Sequence, residues 1–385
     1  MERNRFEKFL LEELTEAYYT ARKGKRHTVD EHRFEINAQE NIMDLAEAIL
    51  CRQYHPNRGV AFIIQDPVTR EIVAAPFRDR VVHHFLYNIC AEWWDRRFSP
   101  DSYSCRKGKG TLYAQERLQE HIRRVLKESP SGRAFVVKLD LQGYFMSLEH
   151  EKLYAQVCWG LDQQFYGKKG KREIGIRCRE GDVTELYKTV KYLWRQVIFD
   201  EPMKGIAIRG RKSDWRLLPD SKSLFHQPKG RGIVIGNLTS QLLSNIFMDK
   251  FDRYVFYDLG YKHYGRYVDD FFILVPMERK EQLLRDVDLM EKFLRQEMGL
   301  ILHPKKRYMQ DVSHGVPFVG AVIYKNAKVP GKRIRRNCFA AAYRLATNGE
   351  GDLDGFVSRI GSIKYLDSRK FIKQVFDSFG WENGD

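Results

Sequence analysis

The chain has 385 residues, a length typical of two or three domains of about 150 residues each. Lysine and arginine total 66 and aspartate and glutamate total 51, so the formal net charge is +15. This excess of positive charge predicts binding to a polyanion. The 43% hydrophobic content excludes a chain that is disordered as a whole.

The distribution of apolar residues and cysteines disfavours several further classes. No stretch approaches the run of about 20 apolar residues that a membrane helix needs, and the N-terminus lacks the apolar core of a secretion signal. The six cysteines are scattered without a Cys-x-x-Cys pair, which favours neither a zinc site nor a disulfide framework. We therefore expect a protein of the reducing cytoplasm whose partners are nucleic acids, anionic membrane surfaces or acidic proteins.

Hydrophobic spacing in the first third of the chain predicts helices and one hairpin. The hairpin strands are Val60–Ile64 and Glu71–Ala75. The Gly- and Lys-rich stretch Tyr103–Thr111 predicts a loop that opens a long helix. On another helix, His83 and His84 favour packing or a hydrogen bond over metal ligation. The predicted helices are Arg5–Ala21, Glu40–Arg52, Arg78–Trp94 and one from Thr111 to about Leu126.

The remainder of the chain alternates apolar strands with helices, which predicts an α+β fold. The charged stretch Gly167–Asp182 predicts an exposed loop or ribbon, and Lys204–Lys229 is polar, basic and rich in turn residues. The tail from Arg336 is expected to divide at the loop Asn348–Gly351 into two helical pieces. The predicted strands are Ala134–Leu139, Tyr264–Pro276 and Val316–Tyr324, and the predicted helices are Leu186–Ile198, Ser240–Tyr257 and Arg279–Gly299.

Two adjacent acidic residues, Asp269 and Asp270, interrupt a strongly strand-forming segment (YGRYVDDFFILV, Tyr264–Val275). Ionised carboxylates inside a buried strand cost several kcal/mol each unless they are paired with cations. We therefore predict that they lie in the tight turn of a hairpin. An ordinary Asp-Asp turn is sufficient to explain the dipeptide by itself.

A third acidic residue, Asp140, changes that interpretation. It ends the predicted strand and precedes Gly143, so it is able to face a hairpin tip on a neighbouring strand. Three gathered carboxylates repel one another unless divalent cations lie between them. Two hard cations about 3.5–4 Å apart form the arrangement that catalyses in-line phosphoryl displacement. Together with the basic charge, the cluster predicts nucleotidyl transfer.

The order of five motifs resembles the palm motifs of reverse transcriptases. LDLQGYF (Leu139–Phe145), GNLTSQ (Gly236–Gln241) and YVDD (Tyr267–Asp270) follow one another as in that family. LHPKK (Leu302–Lys306) and VPFVG (Val316–Gly320) stand where the family has its next two palm motifs. The resemblance covers nearly the whole chain, from a finger-like segment at residues 70–84 to the helical tail.

Within that family, the chain is similar to the reverse transcriptases of diversity-generating retroelements. Most reverse transcriptases have Gln-Gly at the start of the second palm motif and Ser-Pro at its end. This chain has Ile235-Gly236 and Ser240-Gln241 instead. The stretches APFRDRVVHH, DSYSCRKGKGT and KSLFHQPKGRG also resemble that subfamily.

The resemblance implies a right-hand polymerase fold of the α+β class. Residues 1–130 would form an N-terminal helix and the fingers, partly interleaved with the palm. Residues 131–325 would form the palm, an antiparallel sheet with helices, carrying a basic insertion at about 165–230. Residues 326–385 would form a short helical thumb.

The resemblance also implies a role for each matching residue. Asp140, Asp269 and Asp270 would hold two Mg²⁺ ions, for which Mn²⁺ could substitute. Lys306 would protonate the leaving pyrophosphate, with Lys305 as the alternative. The implied dNTP-binding residues are Arg70, Gly143, Tyr144, Phe145, Ile235 and Gly236. The implied template and primer contacts are Ser240, Gln241, Tyr267, Arg106, Lys107 and Lys109.

Two of the implied nucleotide-binding residues carry specificity. Phe145 falls at the bulky sugar gate of the family, where its ring would exclude a ribose 2′-hydroxyl. Ile235 replaces a glutamine that can hydrogen-bond the incoming nucleotide, so base selection should weaken by about 1 kcal/mol or more. In the resembled subfamily, errors concentrate at template adenines.

The implied activity is that of an RNA-directed DNA polymerase that copies a template-repeat RNA into adenine-mutagenised cDNA, the chemistry of mutagenic retrohoming. Its implied partners are that RNA, the cDNA or primer strand, dNTPs and a small basic, oligomeric accessory variability protein. We expect a bacterial or phage-encoded cytoplasmic enzyme with no membrane partner. The alternatives are a reverse transcriptase of an antiviral defence system and a catalytically silent RNA-binding scaffold.

Overall fold

The computed structural model describes residues 5–23, 28–65, 68–178, 182–349 and 353–381. The loop predicted at Asn348–Gly351 lies partly outside these residues. The helices of the described residues are α1 (Arg5–Ala21), α2 (Val29–Ile36), α3 (Ala38–Leu50), α4 (Phe77–Asp95), α5 (Thr111–Glu128), α6 (Tyr144–Ser147), α7 (His150–Tyr166), α8 (Lys168–Arg177), α9 (Val183–Ile198), α10 (Leu238–Arg253), α11 (Lys280–Phe293), α12 (Lys332–Asn348), α13 (Leu353–Gly361) and α14 (Arg369–Phe379).

In the same described residues, the strands form three sheets with the orders β2-β1-β4, β5-β6-β3-β7 and β8-β9-β10. The strands are β1 (Val60–Ile64), β2 (Arg70–Ala74), β3 (Ala134–Leu141), β4 (Ala207–Ile208), β5 (Tyr264–Tyr267), β6 (Asp270–Pro276), β7 (Leu302–Asp311), β8 (Val316–Phe318), β9 (Ala321–Ile323) and β10 (Lys328–Pro330). The mixed helix and sheet content confirms the predicted α+β character.

The chain folds into two compact units, each assembled from segments that lie far apart in the sequence. The first unit comprises Met1–Ser99, Leu141–Asp252 and Lys292–Ile301. The second unit comprises Pro100–Asp140, Arg253–Glu291 and Leu302–Asp385. The division into domains at residues 130 and 325 stays a prediction.

The first unit packs helices beside a small sheet. The predicted hairpin is confirmed, because β1 and β2 pair antiparallel with Val60 opposite Ala74. Apolar residues at helical spacing bury one face of α1, as the sequence predicted. From that face Tyr18 meets Phe77 of α4 edge-on, with the ring centroids 6.1 Å apart. Such contacts fix α1 against α4.

The second unit is built on the four-stranded sheet and on α5. Strands β3 and β6 pair antiparallel from Ala134 opposite Pro276 to Asp140 opposite Asp270. Because side chains alternate between the two faces of a strand, Val136, Phe272 and Leu274 share one face. That face packs against the buried side of α5 in a single apolar core, to which Leu118 and Ile122 contribute. The core therefore fixes the strands whose ends carry the acidic residues.

The prediction of a loop or ribbon at Gly167–Asp182 is wrong over most of its length, because Lys168–Arg177 is the helix α8. Two long-range contacts explain the difference. Ile174 is buried, and the Arg177 guanidinium donates to Glu13 Oε1 at 2.9 Å. These partners lie outside the local sequence, which is charged and shows little apolar periodicity.

The prediction of two helical pieces in the tail is also wrong, because three helices, α12, α13 and α14, are present. The second piece is broken between Gly361 and Arg369. There the backbone N–H of Asp367 donates to Lys328 O at 2.6 Å, and the Asp367 carboxylate accepts from Lys328 N at 2.7 Å. The break thus fastens the chain to β10. Side chains of all three helices still share one apolar core, including Cys338, Phe356 and Phe371, and Ile363 from the connecting segment joins it.

None of the helices in the described part of the chain is both long enough and apolar enough to cross a membrane.

Candidate active site

The hairpin formed by β5 and β6 places the two adjacent acidic residues at its tip. Tyr267 pairs with Asp270, and Val268 and Asp269 form the connecting turn. The predicted tight turn is confirmed, with Asp270 as the first residue of the returning strand. Val268 has a φ of 60°, which strains a β-branched residue. The turn must therefore be held in place by other contacts.

A buried arginine, which the sequence analysis missed, supports this turn. Arg266 is fully buried. Its guanidinium donates to Val268 O at 2.9 Å and to Ser102 Oγ at 3.1 Å. Both contacts fix the backbone immediately before Asp269.

Strand pairing brings the third acidic residue to the same place. Asp140 lies directly opposite Asp270 in the register of β3 and β6. Residues directly opposite in an antiparallel pair project from the same face, with their Cβ atoms about 4.5–5.5 Å apart. Burial raises the pKa of Asp269 to about 6, and repulsion from Asp140 and Asp270 adds to the shift. The three carboxylates therefore form one electrostatically coupled cluster.

Two lysines reach into this acidic cluster. Lys138 Nζ lies 2.7 Å from Asp270 Oδ1, and Lys306 Nζ donates to Asp140 Oδ1 at 2.8 Å. Burial raises the pKa of Asp270 to about 6 even though the Lys138 ammonium opposes the shift. Of the two lysines that the sequence left open, Lys306 makes the contact with the cluster. Lys138 was not singled out from the sequence.

The donor atoms of the cluster are of the type that a hard divalent cation prefers. Mg²⁺ and Mn²⁺ prefer carboxylate oxygens, and Asp140, Asp269 and Asp270 supply them from two adjoining strand ends and one turn. Burial, together with the neighbouring carboxylates, raises the pKa of Asp269 and of Asp270, so added positive charge would stabilise their ionised forms. A bound cation would provide that charge.

A second group of possible metal ligands lies on α2, where ligand atoms of Glu31, His32 and Glu35 are within 4.8 Å of one another. Arg22 already forms an ion pair with Glu35 and lies 3.9 Å from Glu31 Oε1. One guanidinium thus offsets one of the two carboxylate charges of this group.

Three of the residues implied in dNTP binding lie together after β3, in the first unit. Gly143 has a φ of 56°, and a Cβ at this position would lie 2.8 Å from Ser221 O, so glycine is required. Tyr144 is buried and its hydroxyl donates to Ser244 O at 2.8 Å. The Phe145 ring is partly buried, with its centroid 5.3 Å from that of Tyr144. The Tyr144 side chain is thus structural.

The other three residues of that set meet at β2, also in the first unit. Val73 N donates to Ile235 O at 3.0 Å. Gly236 has a φ of 133°, and a Cβ there would lie 2.7 Å from Val73 O. Arg70 begins the same strand and is exposed. The structure therefore places Ile235 and Gly236 against Val73, in the strand that Arg70 begins.

A buried glutamate next to Arg70 was missed by the sequence analysis. Glu71 accepts hydrogen bonds from Trp215 Nε1 at 2.6 Å, Ser223 Oγ at 2.7 Å and Leu224 N at 2.8 Å. These donors belong to the polar segment Lys204–Lys229. Glu71 thus fastens this segment to β2.

The residues implied in template and primer contact are dispersed. Ser240 is buried and Gln241 is exposed on α10 of the first unit. In the second unit, Tyr267 ends β5 and packs against the apolar core. Arg106 donates to Ser102 O at 3.0 Å and Lys109 donates to Pro100 O at 2.5 Å, so both stabilise their own loop. Lys107 in that loop is exposed.

Comparisons with known proteins assign no family to the chain. No protein-family model matches it, and no curated protein matches it.

Among solved structures, the chain is similar to telomerases of two yeasts. Telomerase from Candida albicans in complex with a TWJ fragment of telomeric RNA is 13% identical, with a TM-score of 0.47, covering 91% of this chain and 60% of that chain. The corresponding complex from Candida tropicalis is 11% identical, with a TM-score of 0.47, covering 85% of this chain and 56% of that chain. Apo telomerase from Candida tropicalis is 11% identical, with a TM-score of 0.44, covering 84% and 62%. The chain spans about three fifths of the length of these telomerase chains.

Proposed function

We propose that the chain is an RNA-directed DNA polymerase whose nucleotidyl transfer takes place at Asp140, Asp269 and Asp270. The observation that carries the proposal is the register of β3 and β6, which sets Asp140 opposite Asp270 beside Asp269 in the turn. The order of the palm-like motifs around these residues supports the same chemistry.

Each residue of the cluster has a defined task in this proposal. Asp140, Asp269 and Asp270 would hold two divalent cations, which supply activation of the attacking 3′-hydroxyl and stabilisation of the pyrophosphate. Lys306, whose ammonium lies 2.8 Å from Asp140 Oδ1, would donate a proton to the leaving pyrophosphate oxygen. The buried Arg266 would keep the turn in position through its bond to Val268 O.

The nucleotide-binding set would act through shape and backbone groups. Phe145 would exclude a ribose 2′-hydroxyl by its bulk, and the backbone at Gly143 and Tyr144 would contact the triphosphate. Arg70 would bind a phosphate through two parallel hydrogen bonds, for which a guanidinium is suited. Ile235 offers no hydrogen bond to the incoming nucleotide, so discrimination there depends on fit alone.

The finer assignment, a polymerase of a diversity-generating retroelement, rests on the IGNLTSQ motif and on Ile235 in particular. On this proposal the template is the template-repeat RNA and the product is cDNA with errors at template adenines. A basic, oligomeric accessory protein would take part, and the enzyme would work in the cytoplasm of a bacterium. The net charge of +15 agrees with an RNA partner.

Primer extension on an RNA template with dNTPs and Mg²⁺ tests the proposal. We expect full-length cDNA from the wild-type chain and a loss of about 100-fold or more in Asp269→Asn/Asp270→Asn, as when a transition-state contact is removed. Asp258→Asn, which alters an exposed carboxylate of the same unit, is the matched control. Extension that survives in the double variant would contradict the proposal. Sequencing of the cDNA then tests the finer assignment. Errors concentrated at template adenines would support a polymerase of a diversity-generating retroelement, and accurate cDNA would exclude a mutagenic role of the enzyme.

A further inference from the structure

Lys138 occupies an unusual place on the sheet. On the face of β3 and β6 that carries the apolar core, the buried residues end with Val136 and Phe272, and the acidic residues begin with Asp140 and Asp270. Lys138 lies between them on the same face, since it is two residues from Asp140. Its side chain is only 18% exposed. A lysine at the edge of a core is costly unless its ammonium is paired.

The ammonium of Lys138 is paired with one particular oxygen of the acidic cluster. Nζ lies 2.7 Å from Asp270 Oδ1, an oxygen that is itself inaccessible to solvent. The Asp270 side chain as a whole is 22% exposed, so its accessible surface lies on other atoms. The inner oxygen thus faces a cation supplied by the protein.

The charge of the cluster shows what this cation does. Asp140, Asp269 and Asp270 contribute three negative charges, and Lys138 and Lys306 contribute two positive charges at contact distance. One net negative charge remains in the metal-free protein. Repulsion among the carboxylates is reduced by the lysines, and the attraction of the site for an external cation is reduced by the same charges.

We propose that Lys138 is a resident counter-cation of the site, a positioning residue that stabilises Asp270 in the metal-free protein and lowers the affinity of the cluster for divalent cations. This inference rests on the proposed function, because it concerns the same carboxylates. It assigns Lys138 a task that is separate from proton donation by Lys306. The Lys138 side chain therefore raises the stability of the metal-free protein and lowers its affinity for divalent cations.

Lys138→Met tests this proposal, because methionine keeps the length and the apolar stem and removes the charge. The melting temperature of each protein is measured in EDTA at pH 8. Mn²⁺ binding is measured on separate samples of the folded protein without EDTA, by electron paramagnetic resonance of the free ion. We expect the melting temperature in EDTA to fall by about 3 °C. We expect the Mn²⁺ dissociation constant to decrease about threefold to tenfold.

Two further variants make the result specific. Lys250→Met removes a similar contact, 2.8 Å from Glu297 Oε2 in the first unit, and should leave Mn²⁺ affinity unchanged. Lys138→Arg keeps the charge and should restore both quantities towards those of the wild type.

Unchanged or weaker Mn²⁺ binding in Lys138→Met would overturn the proposal, and so would a failure of either protein to bind Mn²⁺. Primer extension by the wild-type chain does not depend on this outcome. It distinguishes a failure of the Lys138 inference from a failure of the polymerase assignment.

Discussion

At the scale of single residues, the charges of the acidic cluster lower the stability of the metal-free protein at neutral pH. Burial and mutual repulsion raise the pKa of Asp269 and of Asp270 to about 6. Between the ordinary pKa near 4 and this raised value, the folded chain binds more protons than the unfolded chain. The stabilising contribution of these two carboxyls to the free energy of unfolding is therefore fully present below pH 4 and is lost as pH rises through 6. A site that suits a cation is thus a site that weakens the metal-free fold.

Asp269→Asn should consequently stabilise the metal-free protein. We expect the free energy of unfolding in EDTA at pH 8 to rise by about 1–2 kcal/mol, because the amide has no charge to bury. Urea unfolding at pH 8 and at pH 4.5 measures the effect, and the gain should shrink at the lower pH. Asp258→Asn serves as the control. A variant less stable than the wild type at pH 8 would show that the Asp269 carboxylate is not under strain.

On the proposed function, fidelity is a second property that depends on one residue, Ile235. Ile235→Gln should restore a hydrogen bond to the incoming nucleotide and lower the misincorporation frequency about fivefold, the equivalent of about 1 kcal/mol. Sequencing of cDNA from a defined RNA template measures this change. Ile235→Leu conserves volume and adds no polar group, so its error frequency should stay at the wild-type level. An unchanged error frequency in Ile235→Gln would remove Ile235 from the account of fidelity.

At the scale of elements, the hairpin of β5 and β6 shows what sequence can and cannot reveal. Strand-forming residues on both sides of Asp269 and Asp270 predict the hairpin, and β3 follows from its apolar run. The supports of the turn are less visible, because the partner of Arg266, Ser102, lies 164 positions away. Glu71 is similar, since its donor Trp215 is 144 positions away. Local patterns predict the elements, whereas long-range hydrogen bonds depend on the folded arrangement.

The helix α8 is an element that the local pattern failed to predict. Its charged sequence predicts an exposed loop, and contacts through Ile174 and Arg177 make it helical. Propensity is a weak guide where such tertiary contacts exist.

Arg266→Met tests the support of the turn. We expect it to lower the free energy of unfolding by about 2–4 kcal/mol, because Val268 O and Ser102 Oγ lose a buried charged donor. Arg123→Met removes an exposed arginine that also donates to a backbone carbonyl, and should have an effect below about 0.5 kcal/mol. Urea unfolding of both variants measures the difference. Equal effects would show that burial of the Arg266 contacts does not matter.

At the scale of the whole molecule, the net charge of +15 predicts how RNA binding depends on salt. Each phosphate neutralised by a lysine or arginine releases counterions, so affinity for single-stranded RNA should fall steeply with ionic strength. For six such contacts, the dissociation constant should rise by about 300-fold between 50 and 200 mM salt. Filter binding across this range measures the slope.

Substitution of the exposed basic residues of α8 tests which part of the chain sets the salt dependence of RNA affinity. Lys168, Lys169, Lys171 and Arg172 are exposed on a helix that Arg177 anchors to Glu13. If they contact RNA, a fourfold substitution to glutamine should reduce the slope by about 3, at 0.7 for each lost contact. An unchanged slope would exclude α8 from the RNA-binding surface.

On the proposed function, Asp140, Asp269 and Asp270 form one nucleotidyl-transfer site. The most direct test is single-turnover incorporation of one dNTP by Asp140→Asn on an RNA template with an annealed primer. Asp140 comes from a different strand and lies 130 positions before Asp270, so only the fold joins them. Loss of incorporation by about 100-fold or more, with RNA binding retained, is the predicted result. Incorporation at the wild-type rate would contradict the account.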